Sequence, residues 1–140
     1  LEGLCPFLIL NGDTFFEVDL QSLVAFHCSR SASLSVALFT VSANDRYMGI
    51  KIGDSGSIIS LKSDMGSSQL ANGGVYLMER GLLAHLPWHA GEKLSLEADL
   101  FAYLLFSGEK LYGMPCNGRF IDIGIPEDYL RAASIIENKS

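Results

Sequence analysis

Charge is scarce in this chain, and basic charge is scarcest: 10 Lys and Arg stand against 16 Asp and Glu in 140 residues. A net charge of −6 argues against broad binding to a nucleic-acid backbone, which needs clustered cations. It leaves room for a small basic pocket holding one phosphorylated ligand. Cysteine is also sparse. Cys5, Cys28 and Cys116 are odd in number and widely spaced, with no CxxC pair. Neither a zinc knuckle nor a disulfide framework is supported, and reduced thiols in a cytoplasmic protein fit best. Long apolar runs are missing too. None approaches the ~18 residues that a membrane-spanning helix requires, so no membrane partner is expected. No charged start, apolar core and cleavage site suggests a signal peptide. GxGxxG and GxxxxGK[ST] are both absent, so this chain carries no phosphate-cradling loop of those kinds. No internal repeat or low-complexity segment interrupts it.

What remains is an ordinary globular composition. Apolar residues make up 49% and charged residues 19%, so the chain can bury a core and is not disordered. Residues 1–140 are one domain's worth. The chain starts at Leu1 without Met and enters an apolar strand within a few residues. The expectation is a single domain that is the C-terminal portion of a larger one.

The stretch from Phe7 to Phe16 organises the rest. An apolar run, Phe7 to Leu10, stops abruptly at Asn11-Gly12-Asp13-Thr14. It is too short for a helix and lacks polar alternation, which predicts a strand buried on both faces of a parallel sheet. Gly12 allows a sharp turn at the strand's carboxyl end. Asp13 is then the first charged group to leave the sheet, at the edge where open α/β folds place ligands. Near the other end, Asp122 sits between Ile121 and Ile123, with Gly124 following. A carboxylate buried there without a partner costs several kcal/mol (~2–7). A metal ion, a bound ligand or a structural hydrogen-bond network would each relieve that. Asp13 and Asp122 are expected to converge on one site and hold a divalent cation.

Between these stretches the pattern alternates. Asp19 predicts an N-cap for a helix to about Cys28, with Leu20, Leu23, Val24 and His27 on one stripe. Leu34 to Val41 reads as another buried strand, completing a β-α-β unit with a parallel pair. Tyr47–Ile52 and Ser57–Leu61 read as hairpin arms around Gly53-Asp54-Ser55-Gly56, expected to be an exposed turn. Lys62 to Leu70 is a Ser-rich loop. Val75 to Met78 reads as a short strand after Asn72-Gly73-Gly74, and Arg80 to Leu86 as a short helical piece. Ser95 caps a helix from Leu96 to about Phe106, with Glu97 and Asp99 in its first turn, where the dipole favours acids. Lys110–Met114 and Arg119–Ile123 read as strands. Pro126 opens a last helix, expected to turn Leu130, Ala133 and Ile136 inward.

Some features tempt and have plainer readings. Gly53-Asp54-Ser55-Gly56 resembles the nucleophile loop of chymotrypsin-like serine proteases, and His27, Asp45 and Ser55 even fall in the right order. That fold needs far more chain between them, and Gly and Asp are what hairpin turns require. His85 and His89 have a zinc-like i, i+4 spacing, but Pro87 interrupts the helix and no acid completes the set. At Asn72-Gly73-Gly74, either a ligand approaches closely or a plain turn precedes the strand.

The order of LILNGD, NGGVYL, SLEAD and FIDIGIPEDYLRA resembles the later part of sugar-1-phosphate nucleotidyltransferases. The match runs over nearly the whole chain. It is most similar to the heptose-1-phosphate and mannose-1-phosphate guanylyltransferase branch. The resemblance implies a Rossmann-like α/β fold with a mixed, mostly parallel sheet flanked by helices. It implies Mg²⁺ on Asp13 and Asp122 as the catalytic metal pair. It places substrate contacts on Asn11 and Gly12 of the NGD turn and on Asn72, Gly73 and Glu97. Its substrates would be an NTP, GTP favoured, and a sugar 1-phosphate. Nucleic acid is not among the implied partners, and self-association is left open. Two departures stand out. The family's Gly-rich GTR-type loop and its Lys have no counterpart in residues 1–140. Leu61-Lys62-Ser63-Asp64 stands where the family has F-x-E-K. Residues 1–140 alone are therefore expected not to make a nucleotide-sugar. The alternative is a non-catalytic sugar-nucleotide or sugar-phosphate binding module that keeps the fold.

Overall fold

The computed structural model describes residues 6–41, 47, 49–62, 69–123 and 126–137. Strand β3, Leu34–Thr40, is buried through its first six residues. That matches its unbroken apolar sequence, which only a strand covered on both faces can satisfy. Its neighbour β6, Leu70–Glu79, is the longest strand and the centre of the sheet. β3 lines one side of β6. On the other side, β1 (Pro6–Leu10) pairs with Val75–Glu79 and β4 (Gly49–Ile52) meets Ala71. β5 (Ile58–Lys62) extends the sheet beyond β4, and β7 (Leu111–Pro115) beyond β3. A separate two-stranded ribbon joins β2 (Thr14–Phe16) to β8 (Phe120–Asp122).

Helices cover both faces. Leu23 of α1 (Leu20–Ser29) packs with Ala37, Val75 and Leu77 on one face. The other face carries Leu34, Val36, Leu38, Tyr76 and Met78. Against it lie Leu100 and Phe101 of a π-helix, Leu96–Phe101, and Leu104 of α3 (Ala102–Phe106). Each such fully buried side chain stabilises the fold by about 1.5–3 kcal/mol relative to exposure. A short α2 (Arg80–Leu83) follows β6, and α4 (Pro126–Glu137) follows β8. Asp19 Oδ1 accepts from the amides of Gln21 and Ser22, capping α1. Ser95 Oγ accepts from Ala98 N at the start of the π-helix.

The mixed α/β architecture agrees with expectation, but four details differ. Among the described residues only the β3–β7 ladder is parallel; the other ladders are antiparallel, so this part of the sheet is not mostly parallel. β1 and β3 run in the same direction, yet β6 lies between them and bonds to both. β1 is consequently not buried on both faces: Leu8 and Leu10 are 41% and 62% exposed. Leu8 and Leu10 line a cleft with Leu20 of α1, which is exposed as well, as is Val24. The predicted stripe on α1 is thus half covered. The third difference is β6 itself, which begins at Leu70 and runs through Asn72-Gly73-Gly74 without a turn. A register shift opposite Val36 and Leu38 absorbs the glycines, as a bulge does. The fourth is α4. Leu130 is 79% and Ile136 48% exposed, and Ala133 is exposed too; Ala132 is the buried residue. The helix meets the ribbon through the neighbouring stripe, with Arg119 Nη1 donating to Ile135 O.

The β4–β5 hairpin forms as expected, with Asp54 and Ser55 exposed at its tip. Gly56 is buried, however, with φ +89 and the Phe26 ring where a Cβ would stand. The Ser-rich segment, with Ser63 and Asp64, lies outside the described residues, as does Asp45.

Candidate functional site

The ribbon and the middle of β6 meet where β1 ends, and the candidate residues lie around that junction. Thr14 pairs with Asp122 across the ribbon, and Ile123 N donates to Asp13 O at 2.9 Å. Asp13 and Asp122 therefore stand one residue out of register on facing chains. Asp13 is exposed and Asp122 half-buried. An aromatic floor supports Asp122. Phe39 stacks on Phe120 at 3.7 Å, Phe16 meets both edge-on, and Tyr47 closes the group. The Tyr47 hydroxyl donates to Asp122 Oδ2 at 3.3 Å.

The NGD turn is tied to β6 by Asn11 N donating to Gly74 O at 2.9 Å. Gly74 has φ +78, and a Cβ there would lie 2.6 Å from Thr14 Oγ1 and 2.9 Å from Asn11 Nδ2. A Cβ on Gly73 would enter the Phe16 ring and come within 2.8 Å of Ala37 O. Both glycines let the ribbon lie directly on β6. Gly12 differs: a Cβ there would meet nothing, and its φ is not positive. The sharp turn expected of Gly12 does not depend on its lacking a side chain.

Asn72 is the hub. Its Nδ2 donates to Tyr76 Oη at 2.8 Å and to Glu97 Oε1 at 3.0 Å, and its Oδ1 accepts from Gly74 N at 2.8 Å. Burial pushes the Glu97 carboxyl above its ordinary range; the bond from Asn72 opposes that, and the negative charge of Asp13 adds to it. Burial likewise pushes the Tyr76 phenol up to about 12, with bonds to Asn72 and Asn11 opposing and the charges of Glu97 and Asp13 adding. Glu97 rides on the π-helix, a widened turn that recurs at functional sites.

Asn11, Asp13, Asn72, Gly73, Glu97 and Asp122 thus fall in one region. Tyr47 and Tyr76 were missed in the sequence. Tyr76 lies four residues after Asn72, on the same face of a strand, and only the short-strand assignment hid that spacing. The decoys separate from the region. Both ring nitrogens of His27 are engaged, by Ser35 Oγ and Glu79 Oε1 at 2.8 Å each. The Ser55 carbonyl accepts from Arg30 Nε. α2 ends at Leu83, so exposed His85 and His89 share no helical face. Among the described residues no cluster of three or more His, Cys, Asp or Glu could hold a metal ion. The pair Asp13 and Asp122 offers oxygen donors only, which suits Mg²⁺ with its retained waters and substrate oxygens and does not suit zinc.

The nucleotidyl transferase family profile matches residues 2–139. The chain belongs to that family. A nucleotidyl transferase from Aneurinibacillus thermoaerophilus, D-glycero-alpha-D-manno-heptose 1-phosphate guanylyltransferase, is 35% identical over 94% of this chain and 56% of its own length. The Campylobacter jejuni protein of the same name is 33% identical over 86% of this chain and 52% of its own. Among solved structures, HddC from Yersinia pseudotuberculosis superposes with a TM-score of 0.75 at 25% identity, covering 94% of this chain and 55% of that one. The chain spans about half the length of these nucleotidyl transferases. No helix among the described residues is long and apolar enough to cross a membrane.

Proposed function

We propose that the protein carrying this chain transfers a nucleotidyl group from an NTP, GTP favoured, to a sugar 1-phosphate in the cytoplasm. The observation that carries the reading is the ribbon pairing that seats Asp13 and Asp122 on facing chains beside Asn72 and Glu97. A phosphate oxygen of the sugar 1-phosphate attacks the α-phosphorus of the NTP in line. The new P–O bond forms as the bond to the α–β bridging oxygen breaks, and pyrophosphate leaves with that electron pair. No protein nucleophile is required; positioning and charge neutralisation supply the acceleration. Asp13 and Asp122 would hold Mg²⁺, which when bound neutralises charge on the phosphate oxygens. Tyr47 steadies the Asp122 carboxylate. Glu97, bonded to Asn72, orients the sugar. The guanylyltransferase names of the two relatives and an HddC complex with GMP-PN support the choice of GTP.

A second reading has one observation in its favour. Ser63-Asp64 replaces the Glu-Lys of the family motif, which fits a binding module that has lost turnover. One experiment separates the two. Pyrophosphate release is measured in the natural protein carrying this chain, with GTP, Mg²⁺ and heptose or mannose 1-phosphate. Asp13→Asn and Asp122→Asn are each expected to lower turnover about a hundredfold or more with unchanged melting. Wild-type protein that binds both substrates without releasing pyrophosphate establishes the binding module instead.

A further inference from the structure

Asn72 has no donor left for a ligand. A side-chain amide carries two hydrogens, and here one goes to Tyr76 Oη and the other to Glu97 Oε1. Its oxygen already accepts from Gly74 N. Asn72 engages Glu97 through Oε1 alone. Behind Asn72, the Tyr76 ring is 1% exposed and packs edge-on against Phe101 at 5.8 Å. One buried phenol thereby stands behind the bulge in β6 and, through Asn72, the π-helix.

We infer that Tyr76 is a positioning residue: its hydroxyl fixes Asn72, and Asn72 in turn holds Glu97 so that the second carboxylate oxygen, not the Asn72 amide, meets the sugar hydroxyls. The inference rests on the sugar-phosphate reading for its ligand but not for its geometry. A carboxylate accepts from two hydroxyls only if it is held against rotation. A neutral amide bonded on one side alone would swing, whereas one pinned by Tyr76 and the Gly74 amide cannot.

The test is Tyr76→Phe, which keeps the ring and removes the hydroxyl. NMR of the natural protein carrying this chain reads the geometry directly. In the wild type the two Asn72 Nδ2 protons are expected to be well separated and slow to exchange with water. In Tyr76→Phe they should draw together and exchange at least tenfold faster, and the Glu97 carboxyl should titrate at higher pH as its Asn72 donor loosens. In the natural protein carrying this chain, the KM for the sugar 1-phosphate should rise about tenfold, the worth of one buried neutral hydrogen bond. The KM for GTP should stay within twofold. Asn72 protons and a Glu97 titration that do not change overturn the inference. Equal rises in both KM values overturn it as well, since a general loosening would produce them. A wild type that shows no sugar-phosphate turnover sinks the functional reading alone; the NMR result still decides whether Tyr76 holds Asn72 and Glu97.

Discussion

β6 passes two buried polar networks, and they are built on different plans. At its C-terminal end Glu79 meets His27 of α1, which is 1% exposed, and through it Ser35 of β3, which is fully buried. Each of the three side chains faces inward, and both imidazole nitrogens are engaged. Nothing there is presented to a ligand. One carboxylate oxygen, Glu79 Oε2, is buried without a hydrogen-bond partner among the described residues. Around Asn72 the arrangement is reversed. The fully buried member, Tyr76, is neutral, and the charged member, Glu97, is half-buried, as is Asn72. A fastening puts its carboxylate–imidazole bond inside and joins two layers. A site keeps neutral groups inside and turns its charge outward.

The largest effect should come from breaking the fastening. His27→Ala leaves the Glu79 carboxylate in a nearly closed space with no partner, and removes the imidazole that ties α1 to the sheet. The expected loss is about 3 kcal/mol, read from urea unfolding. His27→Gln, which can still donate to one neighbour, should lose less. In the natural protein, kcat and both KM values measured on the folded fraction should match wild type. A His27→Ala protein of normal stability and altered KM would erase the distinction between the two networks.

Next comes the close approach that seats the ribbon on β6. Gly73→Ala would drive a methyl group into the Phe16 ring and against Ala37 O. Either Phe16 leaves the aromatic floor or the bulge straightens. The expected cost is about 2 kcal/mol, typical of overpacking in a filled core. Unlike His27→Ala, it should also disturb Asp122, because Phe16 packs on Phe120, two residues before it. A Gly73→Ala protein with wild-type melting and wild-type Tyr47 and Phe120 NMR shifts would show that the approach is not tight.

These contrasts explain what the sequence made legible. Asp122 stands out because a carboxylate bordered by apolar residues is costly unless something relieves it, and Asp13 because it is the first charge after an apolar strand. Ser95, Asp19 and the Gly53–Gly56 hairpin could be found because caps and turns are local chemistry. β1 was misassigned because an apolar run reports how much surface wants covering, and not which neighbour covers it; Leu8 and Leu10 satisfy the run while remaining exposed. Leu130 and Ile136 were misassigned for the same reason on a helix, where two adjacent stripes were both apolar enough. Tyr76 was missed because Asn72-Gly73-Gly74 has the chemistry of a turn. Only the packing of Phe16 and Thr14 against those glycines, which is long-range, makes it a bulge inside a strand.

The smallest expected effect is also the one whose sign separates the networks most cleanly. Glu97 has its folded pKa raised, first by burial and then by the charge of Asp13, above an ordinary value of 4.5. For an acid this means that the folded state binds the proton more tightly than the unfolded chain does. Stability is then greatest below the unfolded value, falls as pH rises from 4.5 through the folded value, and stays at the lower level above it. Glu97→Gln keeps an acceptor for Asn72 Nδ2 and removes the charge. At pH 7 it should stabilise the fold, by about 1 kcal/mol or less, because the group is partly exposed and solvent screens the effect. The gain should vanish below pH 4.5. Glu79→Gln should act in the opposite direction at pH 7. It replaces a charge-assisted bond from His27 with a neutral one and places an amide nitrogen where an acceptor was. Urea midpoints for the two variants at pH 7 and pH 4 test this directly. Opposite signs at pH 7 mark one network as a site held at a cost in stability and the other as a fastening. The same sign for both would mean that a buried carboxylate on β6 and one on the π-helix are held for the same reason, and the distinction drawn from their geometry would fall.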